Sequence, residues 1–189
     1  MYFQDRQKVN EPVAVHSEKV VTQSVDKPNE ATVSSNDFAN VPADQPKEIL
    51  IPSISVDGYI QKIGVDNNSQ MAVPNNIHLA GWYVNSVKPG ESGLSIIDGH
   101  VLGRYNDAIF KDLINLTPGN TFSIIYGDNS EKLFAVKEVK LLPVSDTAVY
   151  LNTKDQNIIS QLNLITCGGN FDRNSQTYDK RVVVKSEGI

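Results

Sequence analysis

From Glu48 to the C-terminus the chain runs in short apolar stretches, and Gly, Pro, Asn or Asp interrupts each of them at close intervals. Short apolar segments bounded by turn formers are the pattern of a sheet protein. Candidate strands are residues 49–51, stopped by Pro52; 59–65, ended by Asp66-Asn67-Asn68; and 93–97, 121–126, 133–142, 162–166 and 181–185. Gly127-Asp128-Asn129 joins the fourth and fifth as a hairpin turn, because Gly and Asn tolerate positive φ. Helical signal is confined to two pieces. Residues 108–116 place Phe110, Leu113 and Leu116 on one stripe before Thr117-Pro118-Gly119, and residues 153–162 carry Thr153 or Asp155 as a cap. No repeat of about 20 to 50 residues is present, which argues against a solenoid or propeller. The expected fold is mostly β, a closed or nearly closed barrel with short helices on its rim.

Residues 1–46 are polar, Pro-containing and without sustained period, which predicts a flexible tail or linker ahead of one folded unit at 47–189. Met1-Tyr2-Phe3-Gln4 resembles the remnant of an engineered protease site, and His16 is expected to be a solvated tail residue. The 17 Lys and Arg against 22 Asp and Glu leave a net charge of -5, and no basic patch offsets it, so nucleic acid is not an expected partner. No run of about 18 apolar residues and no signal-peptide pattern is present, so the chain as it stands is expected to be soluble.

A single cysteine, Cys167, excludes an internal disulfide, a Cys-rich zinc site and an iron–sulfur cluster. It follows the apolar run Leu162-Asn163-Leu164-Ile165-Thr166 and precedes Gly168-Gly169, so the thiol is expected to leave a strand edge and enter a flexible turn. A buried structural thiol is the ordinary alternative. His100 closes a second apolar run through Asp98-Gly99; were the two runs neighbours pointing the same way, thiol and imidazole would emerge together. Arg181 opens Val182-Val183-Val184, from where its guanidinium could face a developing oxyanion, although a gatekeeping charge on an edge strand reads the same way. Arg104 and Arg173 lie in loop-like surroundings.

Leu164-Ile165-Thr166-Cys167, Gly99-His100 and Arg181-Val182-Val183-Val184 together resemble the three signature segments of the sortases, the cysteine transpeptidases of bacterial cell surfaces. Leu50-Ile51-Pro52, Met71-Ala72-Val73-Pro74, Ala80-Gly81-Trp82-Tyr83, Pro89-Gly90-Glu91-Ser92-Gly93 and Phe110-Lys111-Asp112-Leu113 look like that family's scaffold segments, in its order. The resemblance runs from about Glu48 to the C-terminus, the catalytic domain without its membrane anchor. It implies an eight-stranded sortase-like β-barrel with Cys167 as nucleophile, His100 as acid and base, and Arg181 as oxyanion donor. Thr166, Gly168 and His78 are the candidate substrate contacts, and Trp82 and Tyr83 are expected to pack at the barrel end.

The activity implied is cleavage of a Leu-Pro-x-Thr-Gly-like sorting signal through a Cys thioester, followed by transfer to an amine of a cell-wall precursor or pilin. The work would be done at the extracellular face of the membrane, with the tail linking domain and anchor. Two alternatives stay open, a hydrolytic cysteine peptidase on the same dyad and a non-catalytic surface binding domain. A β-barrel L,D-transpeptidase fits less well, since its motif carries His and Gly close before the cysteine. Asn163, where the family commonly has Thr, and Asn120, where Asp is frequent, are departures at framework positions. Val101-Leu102 after His100 points to a branch other than the best-known housekeeping one. No cofactor is expected; some sortases bind calcium, but Asp66, Asp128, Asp172 and Asp179 form no spaced carboxylate cluster.

Overall fold

The computed structural model describes residues 20–22 and 28–189. Eight strands follow in chain order: β1 (Pro46–Ile51), β2 (Val56–Ile63), β3 (Ala80–Tyr83), β4 (Gly93–Gly99), β5 (Thr121–Tyr126), β6 (Glu131–Pro143), β7 (Ser160–Asp172) and β8 (Thr177–Gly188). They close into a barrel in the order β1-β2-β3-β4-β7-β8-β6-β5. Pairing is antiparallel except between β2 and β3 and between β4 and β7. The parallel β4–β7 pair decides where chemistry can sit, because both strands deliver their C-terminal ends to the same side of the sheet.

Alternation along each strand sorts side chains between two faces. Ile97 on β4, Leu162 and Leu164 on β7, and Val182 and Val184 on β8 point inward, where they meet Phe110, Phe122 and Phe134 in the main core. Their neighbours in sequence, Ile96, Ile165 and Val183, point outward and form a second cluster with Leu151, Leu142, Met71 and Tyr83. The outer cluster lies under α1 (Val144–Leu151), the α-helix among the described residues, inserted between β6 and β7. Each fully buried Phe or Leu contributes about 1.5–3 kcal/mol.

The hairpin at 127–129 forms, with Asn129 at φ 64° supplying the positive dihedral. Strands β7 and β8 are longer than the apolar runs that mark them, and β3 was not among the expected strands. Its four residues, Ala80-Gly81-Trp82-Tyr83, hold a glycine and are too few to establish a period. The two expected helices fail. Residues 108–116 hold only one 3-10 turn, Leu113–Asn115, and residues 153–162 are an irregular segment entering β7. The stripe of Phe110, Leu113 and Leu116 is real, but it plugs the barrel from a loop. The helix that forms instead, α1, starts directly after Pro143, a residue whose fixed φ suits a helix entry.

The segment ahead of β1 lies partly along the barrel. Phe38 stacks on Tyr59 with ring centroids 4.6 Å apart, the Asn29 amide donates to the Asn75 carbonyl at 2.9 Å, and Asn76 Nδ2 donates to the Ala31 carbonyl at 2.8 Å. The Glu30 carboxylate accepts from the Arg104 and Tyr105 amides and from Asn106 Nδ2. Such contacts between polar side chains and backbone leave no periodic trace in a sequence. His16, Met1-Tyr2-Phe3-Gln4 and the rest of residues 1–19 and 23–27 lie outside the described residues.

Candidate active site

Cys167 and Arg181 face each other directly, as register partners on antiparallel β7 and β8. Both belong to the outward parity, Cys167 two residues beyond Ile165 and Arg181 two before Val183. On the other flank of β7, Asp98 of β4 pairs with Ile165, and His100 is the first residue past the end of β4. Cys167, Arg181, Asp98 and His100 therefore share one outer face at one end of the barrel. The expected positions are corrected in one respect: Cys167 and Arg181 do not stand at strand ends. β7 continues through Gly168 to Asp172, and β8 begins four residues before Arg181. The chain departs from regular pairing only after the thiol, at a bulge between Gly168 and Phe171 where Gly169 adopts φ 79°. A positive φ of this kind is what glycine supplies without strain.

Each group is held by backbone. Arg181 Nη1 donates to the carbonyls of Tyr178 at 3.0 Å and Lys180 at 2.8 Å, so the backbone engages one nitrogen of the guanidinium. His100 Nε2 lies 2.8 Å from the Pro74 carbonyl. A carbonyl only accepts, so the neutral ring carries its proton on Nε2 and presents Nδ1 as the acceptor. Gly99 fixes the approach from below, because a Cβ there would fall 2.4 Å from Phe110 Cδ2. The Phe110 amide in turn donates to the His100 carbonyl at 3.0 Å.

Burial pushes the Cys167 thiol up; the Arg181 guanidinium opposes that and the Asp98 carboxyl adds to it. Burial lowers His100, partly offset by the Pro74 carbonyl, so the imidazole rests neutral near pH 7. Asp98 is pushed up to about 7 by burial, against the Gly99 amide and the Arg181 charge. Asp98 is the site residue that sequence reasoning missed. The available signal was its parity: it stands two residues before His100 in a strand, and so shares a face with it.

The three further candidates separate. Thr166 has the inward parity, is buried, and donates through Oγ1 to the Gly99 carbonyl at 2.7 Å. Its side chain clamps β7 to β4 from the inner face. Gly168 lies beside the thiol, packed under Leu141 and Val182. His78 is not brought to this face; it lines a separate cavity of about 640 Å³ with Asp57, Asp107, Ile109 and Asp112. Trp82 is buried in the barrel core, and Tyr83 joins the outer cluster. The framework departure Asn163 is buried and donates to the Leu151 carbonyl at 2.7 Å, tying α1 to β7.

Among the described residues no group of three His, Cys, Asp or Glu is placed to hold a metal ion. Asp66, Asp128 and Asp172 accept hydrogen bonds within their own turns, and Asp179 accepts from Asn170. No helix among the described residues is long and apolar enough to cross a membrane.

The sortase domain model matches residues 49–188. The chain belongs to the sortase family. Solved sortases share its barrel. Sortase A from Corynebacterium diphtheriae is 20% identical with a TM-score of 0.57, covering 85% of this chain and 72% of that one. The Group B Streptococcus Pilus Island 1 sortase C2 is 18% identical with a TM-score of 0.56, covering 85% and 82%. The Clostridium perfringens sortase D5 transpeptidase is 21% identical with a TM-score of 0.56, covering 84% and 90%. At these identities the likeness is one of fold. No curated protein matches the chain. The family is one of cysteine transpeptidases acting at the cell surface.

Proposed function

We propose that this sortase-family chain is a transpeptidase that cleaves a Leu-Pro-x-Thr-Gly-like sorting signal and passes the acyl group to an amine, with Cys167, His100 and Arg181 as its catalytic residues. The observation that carries the reading is the direct opposition of Cys167 and Arg181 across β7 and β8, with His100 at the end of the adjoining parallel strand.

The Cys167 thiolate attacks the scissile peptide carbonyl, and the oxyanion that develops accepts from the guanidinium N–H groups of Arg181 that the backbone does not engage. Collapse of the tetrahedral species breaks the C–N bond. His100, having taken the thiol proton on Nδ1, returns it to the departing amine, and a thioester remains on Sγ. An incoming amine then attacks the thioester while neutral His100 removes its proton, and the thiolate leaves. The bonds Tyr178 and Lys180 make to Arg181, and Pro74 to His100, fix both groups before substrate arrives, so little reorganisation is required during the reaction. The substrate in this reading is the sorting signal of a secreted protein, and the acceptor is an amine of a cell-wall precursor or pilin, met at the extracellular face of the membrane.

Incubation with a Leu-Pro-x-Thr-Gly peptide and triglycine tests the reading. Ligated product that requires Cys167 supports it. Hydrolysed peptide with no ligation, triglycine being present in excess, would favour a cysteine peptidase on the same site.

A further inference from the structure

Asp98 is 8% exposed and stands in the middle of the proposed machinery without a role in the reaction described above. Its neighbours on that face can be enumerated. β3 opposes it with Gly81, and β7 with Ile165 followed by Cys167. β8 supplies Arg181, whose charge acts on both Asp98 and Cys167. His100 follows directly on its own strand, and the segment ahead of β3 lies over Gly81 with the uncharged Pro74. Tyr83 of β3, Tyr150 of α1 and Tyr178 of β8 are phenols of this face. Among the described residues, Arg181 is the cation whose charge acts on both acidic groups, the Asp98 carboxyl and the Cys167 thiol, which sit on adjacent strands.

We propose that Asp98 is a positioning residue of the sortase site that acts by charge: its ionised carboxylate, one strand from Cys167 on the same face, opposes the Cys167 thiolate and competes with it for the charge of Arg181, and its protonation relieves that opposition. The proposal rests on the reading of Cys167 and Arg181 as nucleophile and oxyanion donor. One guanidinium cannot neutralise two anions at once, so the second anion to form is disfavoured, and the titrations of Asp98 and Cys167 are coupled. The mutual effect runs through charge alone. It vanishes where Asp98 holds its proton, and it is complete where Asp98 has lost it.

This gives a signature that a structural role would not produce. Cys167 is the chain's only cysteine, so the whole-protein mass after reaction with iodoacetamide reports that thiol alone. The alkylation rate of the natural chain and of Asp98→Asn is measured from about pH 5 to pH 9. Asparagine keeps the size of the side chain and an oxygen that accepts from the Gly99 amide. On the acid side of the Asp98 titration, at about 7, the two proteins are expected to react equally. Above it, Asp98→Asn is expected to react about tenfold faster, a shift of about one pH unit in the thiol titration. The logarithm of the natural chain's rate should bend near neutral pH, and that of Asp98→Asn should not.

Rates in a constant ratio at every pH would overturn the proposal and leave the nucleophile in place. Absence of alkylation in both proteins would overturn the nucleophile assignment as well. Should Asp98→Asn not fold, the natural chain decides: its Asp98 carboxyl carbon, followed by NMR after backbone assignment, is expected to titrate near neutral pH. A midpoint near the ordinary Asp value of about 4 would overturn the proposal.

Discussion

Cys167 is activated by its surroundings only in part, since burial raises its thiol and Arg181 is the nearby charge that brings it back. In the proposed mechanism Arg181 has two jobs, on the thiolate and on the oxyanion, and Arg181→Ala is expected to lower kcat/KM for peptide cleavage by on the order of 10²-fold or more. Arg181→Lys keeps the charge but loses the planar fork of donors, and should recover only part of that loss. A variant with undiminished turnover would remove Arg181 from the mechanism. Asp98 adds a pH dependence of stability. A carboxyl whose pKa is higher in the folded than in the unfolded state holds its proton more tightly when folded, so stability falls as pH rises from about 4 to about 7 and the loss is then constant. Asp98→Asn escapes that loss. Its stability relative to the natural chain should grow across the same interval, by on the order of 4 kcal/mol at most. Urea unfolding at several pH values measures the difference, and a pH-independent gap would show that the carboxyl is not buried as described.

At the scale of elements, the site depends on how β4 and β7 lie side by side. Gly99→Ala would drive a methyl into Phe110, and the Phe110 amide supports the His100 carbonyl, so this change should displace the imidazole as well as strain the core. A loss of about 1–3 kcal/mol in stability is expected, with a fall in turnover larger than the unfolded fraction explains. Leu164→Ala, on the inner face of β7 three residues before Cys167, should cost about 2–5 kcal/mol while leaving the chemistry of the folded protein intact. The elements were unequally legible beforehand. β5 and its hairpin stand out because a full apolar run ends at Gly127-Asp128-Asn129, whereas β3 is too short to show a period. α1 escaped notice because its first turn, Val144-Ser145-Asp146-Thr147, is a poor helix former in isolation and is held by packing on β6 and β8. Cys167, His100 and Arg181 were legible because each adjoins an apolar run. Asp98 was not, because a carboxylate inside such a run looks like an interruption until parity places it beside His100.

For the molecule as a whole, the barrel gains from chain that composition alone assigns to a linker. Phe38 stacks on Tyr59, and Glu30 grips the loop that follows His100. Phe38→Ala should lower the unfolding free energy by about 1–2 kcal/mol, seen as a reduced Tm; no change would mean the stack forms without stabilising the fold. Closure of the sheet leaves the outer face of β4, β7 and β8 as the place that carries Cys167, Arg181, Asp98 and His100, and the central claim concerns the first of them. Intact-protein mass spectrometry after mixing with a Leu-Pro-x-Thr-Gly peptide tests it most directly. The account predicts an acyl adduct that maps to Cys167, is discharged by triglycine into ligated peptide, and is absent from Cys167→Ala. Peptide turnover by Cys167→Ala at the natural rate, or ligation without passage through a Cys167 adduct, would contradict it.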